Sequence, residues 1–242
     1  MFFEFCAWFF LTTAVMTTHW WVLRRRFRRI NQLLTDGCPA EFILALDAEM
    51  RRAHSPEVRA LFTISRSAGL SYLGRWSEAI DDLENIDAEL IRQPEARAVY
   101  CNNLLYSLLL AGSFEKAARL VDTETRWLVP EYRHRDLNLS LRGTMATFYY
   151  FRGLTDEARR EFELLEAELR GPMQTATSLY FLARLDLAEG DTERGLERLR
   201  QVVHLAPRTF FPDEVKALSL GQERIGPPGA ALVASETDRR GE

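Results

Sequence analysis

The chain has 242 residues, of which 47% are hydrophobic, and its 31 basic and 35 acidic side chains give a formal net charge of −4 at pH 7. With 13 Gly, 9 Pro and 3 Cys, this composition excludes a disordered tail, a collagen-like fibre and a disulfide-rich miniprotein. Residues 30–242 carry 26 basic against 34 acidic groups, a net of −8. Because so acidic a body repels polyanions, we expect no nucleic-acid partner.

The N-terminal segment is apolar. Residues 5–23 read FCAWFFLTTAVMTTHWWVL, and as a helix they would reach roughly 28 Å, close to the ~30 Å hydrocarbon core of a bilayer. An aromatic and basic flank follows at Trp20, Trp21, Arg24, Arg25, Arg26, Arg28 and Arg29. Such a flank is typical of the cytoplasmic end of a membrane span. The pattern predicts a single-pass cell-membrane protein that contacts lipid, with its N-terminus outside and its body in the cytoplasm.

An alternative stays open for this segment. Four threonines and His19 make it only moderately hydrophobic, so it is also compatible with an apolar helix that packs inside the body or against a partner. In that interpretation the arginines would be free to contact phosphate.

The body of the chain has the spacing of helices. From residue 30 to 220, apolar residues recur every three or four positions, and there is almost no alternating or β-branched run. Helix starts are marked by Ser55-Pro56-Glu57, an N-cap followed by a first-turn proline and an acidic residue. The sequence therefore predicts an all-α fold.

An internal repeat orders these helices. Gly74, Gly112, Gly153 and Gly190 lie 38, 41 and 37 residues apart, each between two apolar helical stretches. Five residues after each glycine stands a small residue, and nine after it a bulky one: Ala79, Ala117, Ala158 and Gly195, then Leu83, Val121, Phe162 and Leu199. Small residues let the two helices of a hairpin approach closely, so the pattern predicts four helical hairpins.

These hairpins resemble the tetratricopeptide repeat family. The segments that carry the resemblance are GLSYLGRWSEAIDDL (69–83), LLLAGSFEKAARLV (108–121), FRGLTDEARREF (151–162) and LDLAEGDTERGL (185–196). The resemblance implies an α-α superhelical solenoid, preceded here by one N-terminal transmembrane helix. The expected organisation is an anchor with an Arg-rich flank at 1–29, capping helices at 30–59, about four repeats at 60–220 and a disordered tail at 221–242.

The resemblance also implies where a partner would bind. In the family the first helices of the repeats line a concave groove that holds a peptide. By offset from each turn glycine, the groove residues would be Tyr72, Asn102, Tyr106, Thr147, Tyr150, Tyr180 and Arg184. Several of these are equally compatible with packing between helices.

No catalytic or metal-binding motif is complete. His134-Arg135-Asp136-Leu137 matches the start of a kinase catalytic loop, but Leu141 stands where a metal-binding Asn is required. Cys6, Cys38 and Cys101 follow no metal-ligand spacing, so we expect no cofactor and no metal. The first hypothesis is a non-enzymatic, membrane-tethered adaptor that binds a protein or peptide of unknown identity. The second is a soluble regulatory or nucleic-acid-associated repeat protein whose N-terminal helix packs internally.

Overall fold

The computed structural model describes residues 25–169 and 171–220, and every regular element in these ranges is helical. The all-α prediction is confirmed. The helices are α1 (25–35), α2 (Pro39–Met50), α3 (Pro56–Tyr72), α4 (Trp76–Glu84), α5 (Pro94–Leu110), α6 (Phe114–Leu128), α7 (Arg135–Phe151), α8 (Thr155–Glu168), α9 (Pro172–Ala188), α10 (Thr192–Leu205) and α11 (Phe211–Ser219), with a short 3-10 turn at Ala88–Leu90.

The four predicted hairpins are present as α3/α4, α5/α6, α7/α8 and α9/α10. The four turn glycines have φ between 72° and 88°, a region that side chains other than glycine rarely adopt. After α3, the amide of Arg75 donates to the Leu70 carbonyl at 3.0 Å and that of Gly74 to the Ser71 carbonyl at 3.1 Å. The same pair of bonds recurs at the other three turns. Each glycine thus ends one helix and reverses the chain into the next.

The small residues of the repeat lie where paired helices touch. Ala79, Ala117 and Ala158 are all 0% exposed. A Cβ atom added at Gly195 would come within 2.7 Å of Leu187, which is closer than the space allows. The first helices α3, α5, α7 and α9 pack side by side as an inner layer, and the second helices cover them. The repeat register predicted from the glycines is therefore confirmed.

Charged side chains fasten the helices of each hairpin together. Three hairpins pair an arginine of the first helix with acids of the second: Arg66 with Glu78 and Asp82, Arg97 with Glu124, and Arg142 with Glu161 and Glu168. The fourth hairpin reverses the signs. Asp186 of α9, only 1% exposed, lies 2.8 Å from Arg159 of α8 and also pairs with Arg198 of α10. This pairing allows an acidic residue at a position that is usually apolar.

The two ends of the array touch each other. The amide of Phe210 donates to the Tyr72 carbonyl at 2.9 Å, and the Phe210 ring meets the Trp76 ring edge-on at 5.4 Å. Arg208 lies 3.0 Å from Glu41 of α2. The segment between α10 and α11 therefore packs on the first hairpin and on α2.

Most of the arginine-rich flank belongs to helix α1, the first helix that the structure describes. Arg26 lies 3.2 Å from Glu49 of α2, Phe27 stacks on Phe62 of α3 at 5.7 Å, and Ile30 is 7% exposed. Helix α1 therefore packs on α2 and α3 from the first residues that the structure describes. Arg25, Arg28 and Arg29 are exposed on the same helix. Trp20, Trp21 and Arg24 lie outside the described residues, as does the tail at 221–242.

The length and hydropathy of the described helices contradict the prediction that the protein lies in a membrane. Within residues 25–169 and 171–220, no helix is long and apolar enough to cross a bilayer. The longest, such as α3 and α9, have 17 residues, which spans roughly 26 Å, and they carry charged side chains on faces that pair with neighbours. The prediction of a single-pass membrane protein is therefore wrong on this finding. The segment 5–23, on which it rested, lies outside the described residues.

Candidate functional site: a central pocket

The inner faces of the four first helices enclose a cavity of about 510 Å³, which we call the central pocket. Its volume falls within the usual range of ligand-binding cavities. Helices α3, α5, α7 and α9 form its walls, and the end of α1 contributes Leu34 and Thr35. The side chains that matter below are Tyr72, Asn102, Asn103, Tyr106, Ser140 and Gln174.

Three of the predicted groove residues meet in this pocket. Tyr72 comes from α3, and Asn102 and Tyr106 come from α5, one helical turn apart. Burial raises the pKa of the Tyr72 phenol, and it raises that of Tyr106 well above its ordinary value. Both phenols therefore stay protonated and uncharged at neutral pH.

The other four predicted residues do not line the pocket. Thr147 is 0% exposed, and its hydroxyl donates to the Gly143 carbonyl at 2.9 Å. Tyr150 and Tyr180 are 0% and 2% exposed. Arg184 donates to the hydroxyls of both, at 3.0 Å to Tyr150 and 2.7 Å to Tyr180. Thr147, Tyr150 and Tyr180 are therefore buried, and the partly exposed Arg184 joins the two tyrosines.

The tyrosines belong to a continuous aromatic layer, which we call the aromatic seam: Tyr150, Phe151, Tyr180, Phe181, Phe210 and Phe211. Helix α11 covers the seam. The Tyr180 hydroxyl donates to Glu214 of α11 at 3.0 Å, and the Phe211 ring lies 5.2 Å from the Tyr180 ring. The chain itself thus fills the part of the inner face where a partner was expected.

An amide network lines the α3–α5 side of the pocket. Asn103 donates from Nδ2 to the Ile64 carbonyl at 2.9 Å, and Asn102 donates from Nδ2 to Asn103 Oδ1 at 3.3 Å. Across the pocket, Gln174 of α9 donates to the Ser140 hydroxyl of α7 at 3.1 Å. The sequence reasoning missed Ser140 and Gln174, although both lie on first helices at the inward-facing spacing.

The pocket wall carries one charge. Asp136, an exposed residue at the start of α7, is acidic, and no Lys, Arg or His is among the lining side chains in the described part of the chain. The surface is otherwise made of hydroxyls, carboxamides and apolar groups such as Leu139 and Met173. Such a wall suits an uncharged ligand, because it offers nothing to neutralise an anion.

Residues for metal or thiol chemistry do not gather anywhere in ranges 25–169 and 171–220. No group of three or more His, Cys, Asp or Glu side chains there could hold a metal ion. Burial raises the pKa of the Cys101 thiol to about 12, so it stays protonated and unreactive at neutral pH.

Comparison with known proteins gives a weak structural likeness. No protein-family model and no curated protein matches the chain. The chain is similar to a crystal structure described as a Podosopora anserina putative kinesin light chain with nearly identical TPR-like repeats, at 22% identity, with 76% of this chain and 94% of that chain covered and a TM-score of 0.44. A crystal structure of a single-substitution variant of it gives 21% identity, 76% and 93% coverage, and a TM-score of 0.44. At this strength, the tetratricopeptide-like architecture rests on the four hairpins themselves.

Proposed function

We propose that the chain is a non-enzymatic interaction scaffold that binds a peptide segment of another protein in the central pocket. The observation that carries the proposal is the pocket itself. It lies on the inner faces of the first helices, and its wall holds hydrogen-bonding groups beside apolar ones. A peptide offers the same mixture, because its backbone is polar and most of its side chains have apolar parts.

Site-specific photo-crosslinking in the full chain tests this function. A photo-reactive residue at position 136, at the pocket mouth, should crosslink to a defined protein partner in cells. The same residue at position 164 on the outer side of α8, where Leu164 is 47% exposed, should not. Adding Ser140→Phe, which obstructs the pocket wall, should abolish the crosslink from position 136. Equal crosslinking from both positions, or no effect of Ser140→Phe, would place the binding surface elsewhere.

A second candidate is a regulatory protein whose N-terminal region packs on its own body. Helix α1 favours it, since Arg26 pairs with Glu49 and Phe27 stacks on Phe62 instead of standing apart from the repeats. If its exposed arginines bound phosphate, the full chain would retard a DNA duplex in a gel at physiological salt. We expect no retardation, because the body carries a net charge of −8.

A further inference from the structure

Two polar atoms in the central pocket are buried without a hydrogen-bond partner among the described residues: Asn102 Oδ1 and the Tyr106 hydroxyl. The whole Asn102 residue is 9% exposed, and its Oδ1 is buried. Leaving such a group unpaired costs about 1–3 kcal/mol. Trp127 Nε1 and Arg159 Nη2 are also buried without such a partner, but of these four atoms only the two of Asn102 and Tyr106 belong to residues that line the central pocket, one helical turn apart on α5.

The surrounding bonds determine which way the Asn102 carboxamide points. Asn103 must use its Nδ2 to donate to the Ile64 carbonyl, and this turns its Oδ1 toward Asn102. Asn102 therefore donates from Nδ2 to Asn103, and its own Oδ1 is left without a donor. That oxygen can only accept, so its missing partner is a donor.

Whereas Asn102 Oδ1 lacks a hydrogen-bond donor, the Tyr106 hydroxyl lacks an acceptor. Its nearest polar neighbour is the Thr177 hydroxyl, which donates its own proton to the Met173 carbonyl at 3.0 Å and is not placed to form a hydrogen bond of good geometry with Tyr106. Because the buried phenol stays protonated, it has a proton to donate. A ligand that satisfies both atoms must therefore supply a donor to Asn102 and an acceptor to Tyr106, one helical turn apart along α5.

An amide carries both groups in one uncharged plane. A carboxylate has no N–H for Asn102, and none of the lining side chains in the described ranges 25–169 and 171–220 is basic and able to neutralise it. Resting on the scaffold function proposed above, we propose that the central pocket binds amide groups of the partner peptide, with an N–H that donates to Asn102 Oδ1 and a carbonyl that accepts from the Tyr106 hydroxyl. The primary amide of an Asn or Gln side chain presents both groups on one edge. In an extended backbone they come from one residue, whose own N–H and carbonyl belong to adjacent trans peptide groups and point to the same side.

Small probes test this with the full chain in solution. Isobutyramide and isobutyrate have the same shape and differ in the amide, while N-acetylalanine methylamide presents backbone amides without a polar side chain. Titrations followed by NMR shifts of the Asn102 side-chain amide should saturate with an amide at millimolar Kd, as expected for molecules this small. Isobutyrate should bind about tenfold more weakly, because it loses a hydrogen bond and buries a charge.

The two amide probes separate the two sources. Binding of isobutyramide alone indicates an Asn or Gln side chain, binding of N-acetylalanine methylamide alone indicates a backbone, and either result supports the proposal. If isobutyrate binds as well as the amides, or if neither amide gives a saturable shift, the proposal is wrong.

Variants of the pocket give an independent test. Tyr106→Phe should weaken amide binding by about tenfold without unfolding the chain, because it removes only the unpaired hydroxyl. Tyr149→Phe, outside the pocket, is the matched control and should bind as the parent does. Unchanged affinity in Tyr106→Phe would overturn the assignment of that hydroxyl. A failed probe series beside a successful crosslink from position 136 would refute the amide and leave the scaffold function standing.

Discussion

The central pocket and the aromatic seam occupy the same inner face of the first helices, yet one is open and the other is filled. At the pocket, buried polar atoms of Asn102 and Tyr106 have no partner within the described chain. At the seam, the Tyr180 hydroxyl binds both Arg184 and Glu214, and Phe211 is 0% exposed. The difference lies in α11, which covers one region and leaves the other open. A concave face in a helical array is therefore available for binding only where the chain does not cover it.

The largest effect should come from uncovering the seam. Phe211→Ala removes a ring that packs on Tyr180 and Phe210, and we expect it to lower the free energy of unfolding by about 3–5 kcal/mol in urea denaturation. Leu164→Ala, at a side chain 47% exposed, is the control and should change it by less than about 0.5 kcal/mol.

The same Phe211→Ala variant also tests the contact between the ends. Because the neighbouring Phe210 binds the Tyr72 carbonyl, hydrogen exchange should quicken in the last turn of α3 as well as in α9 and α11. Faster exchange confined to α9 and α11 would mean that the two ends are energetically independent.

Removing a tyrosine hydroxyl should lower the free energy of unfolding in the aromatic seam but not in the central pocket. Tyr180→Phe breaks bonds to Arg184 and Glu214, so we expect a loss of about 1.5–3 kcal/mol. Tyr106→Phe removes a hydroxyl without a partner, so stability should stay within about 0.5 kcal/mol of the parent or rise. Equal losses in the two variants would mean that Tyr106 has a partner that the structure does not show.

The smallest effect is on the alkaline side of the stability curve. The folded-state pKa of Tyr106 lies well above its ordinary value, so its contribution is complete below the unfolded phenol pKa of about 10 and is lost as pH rises above it. Between about pH 10 and 11, Tyr106→Phe should therefore lose stability less steeply than the parent. Tyr149→Phe serves as the control, and parallel curves for the parent and Tyr106→Phe would contradict the burial of this phenol.

The repeat could be predicted because it is local. A glycine at positive φ and the small residue five positions later both act within one hairpin. The roles of Gly74 at a turn and of Ala117 at a helix contact can therefore be predicted without knowing the rest of the fold. The offset from each glycine also brought Tyr72, Asn102 and Tyr106 to one pocket. It could not show that Tyr150, Tyr180 and Arg184 are covered, because that depends on where α11 lies.

Contacts between helices are also not visible along the chain. Hydropathy and flanking arginines are read from consecutive residues, whereas the pairing of Arg26 with Glu49 joins two helices. Likewise, Asp186 breaks the apolar pattern of its repeat only until Arg159 and Arg198 are known to meet it. A charged side chain that pairs with another helix can be distinguished from one that is solvated at the surface only when the three-dimensional structure is known.

The hydrogen bond from the Phe210 amide to the Tyr72 carbonyl joins the segment before α11 to the hairpin α3/α4. Open repeat arrays gain or lose units during evolution because each unit meets only its neighbours. Here an added hairpin would move residues 206–211 away from Trp76 and Glu41 by about the 8–10 Å that separates packed helices. Duplication or deletion of a hairpin between α3 and α10 would separate these groups, so we expect it to destabilise this protein more than it would an open array.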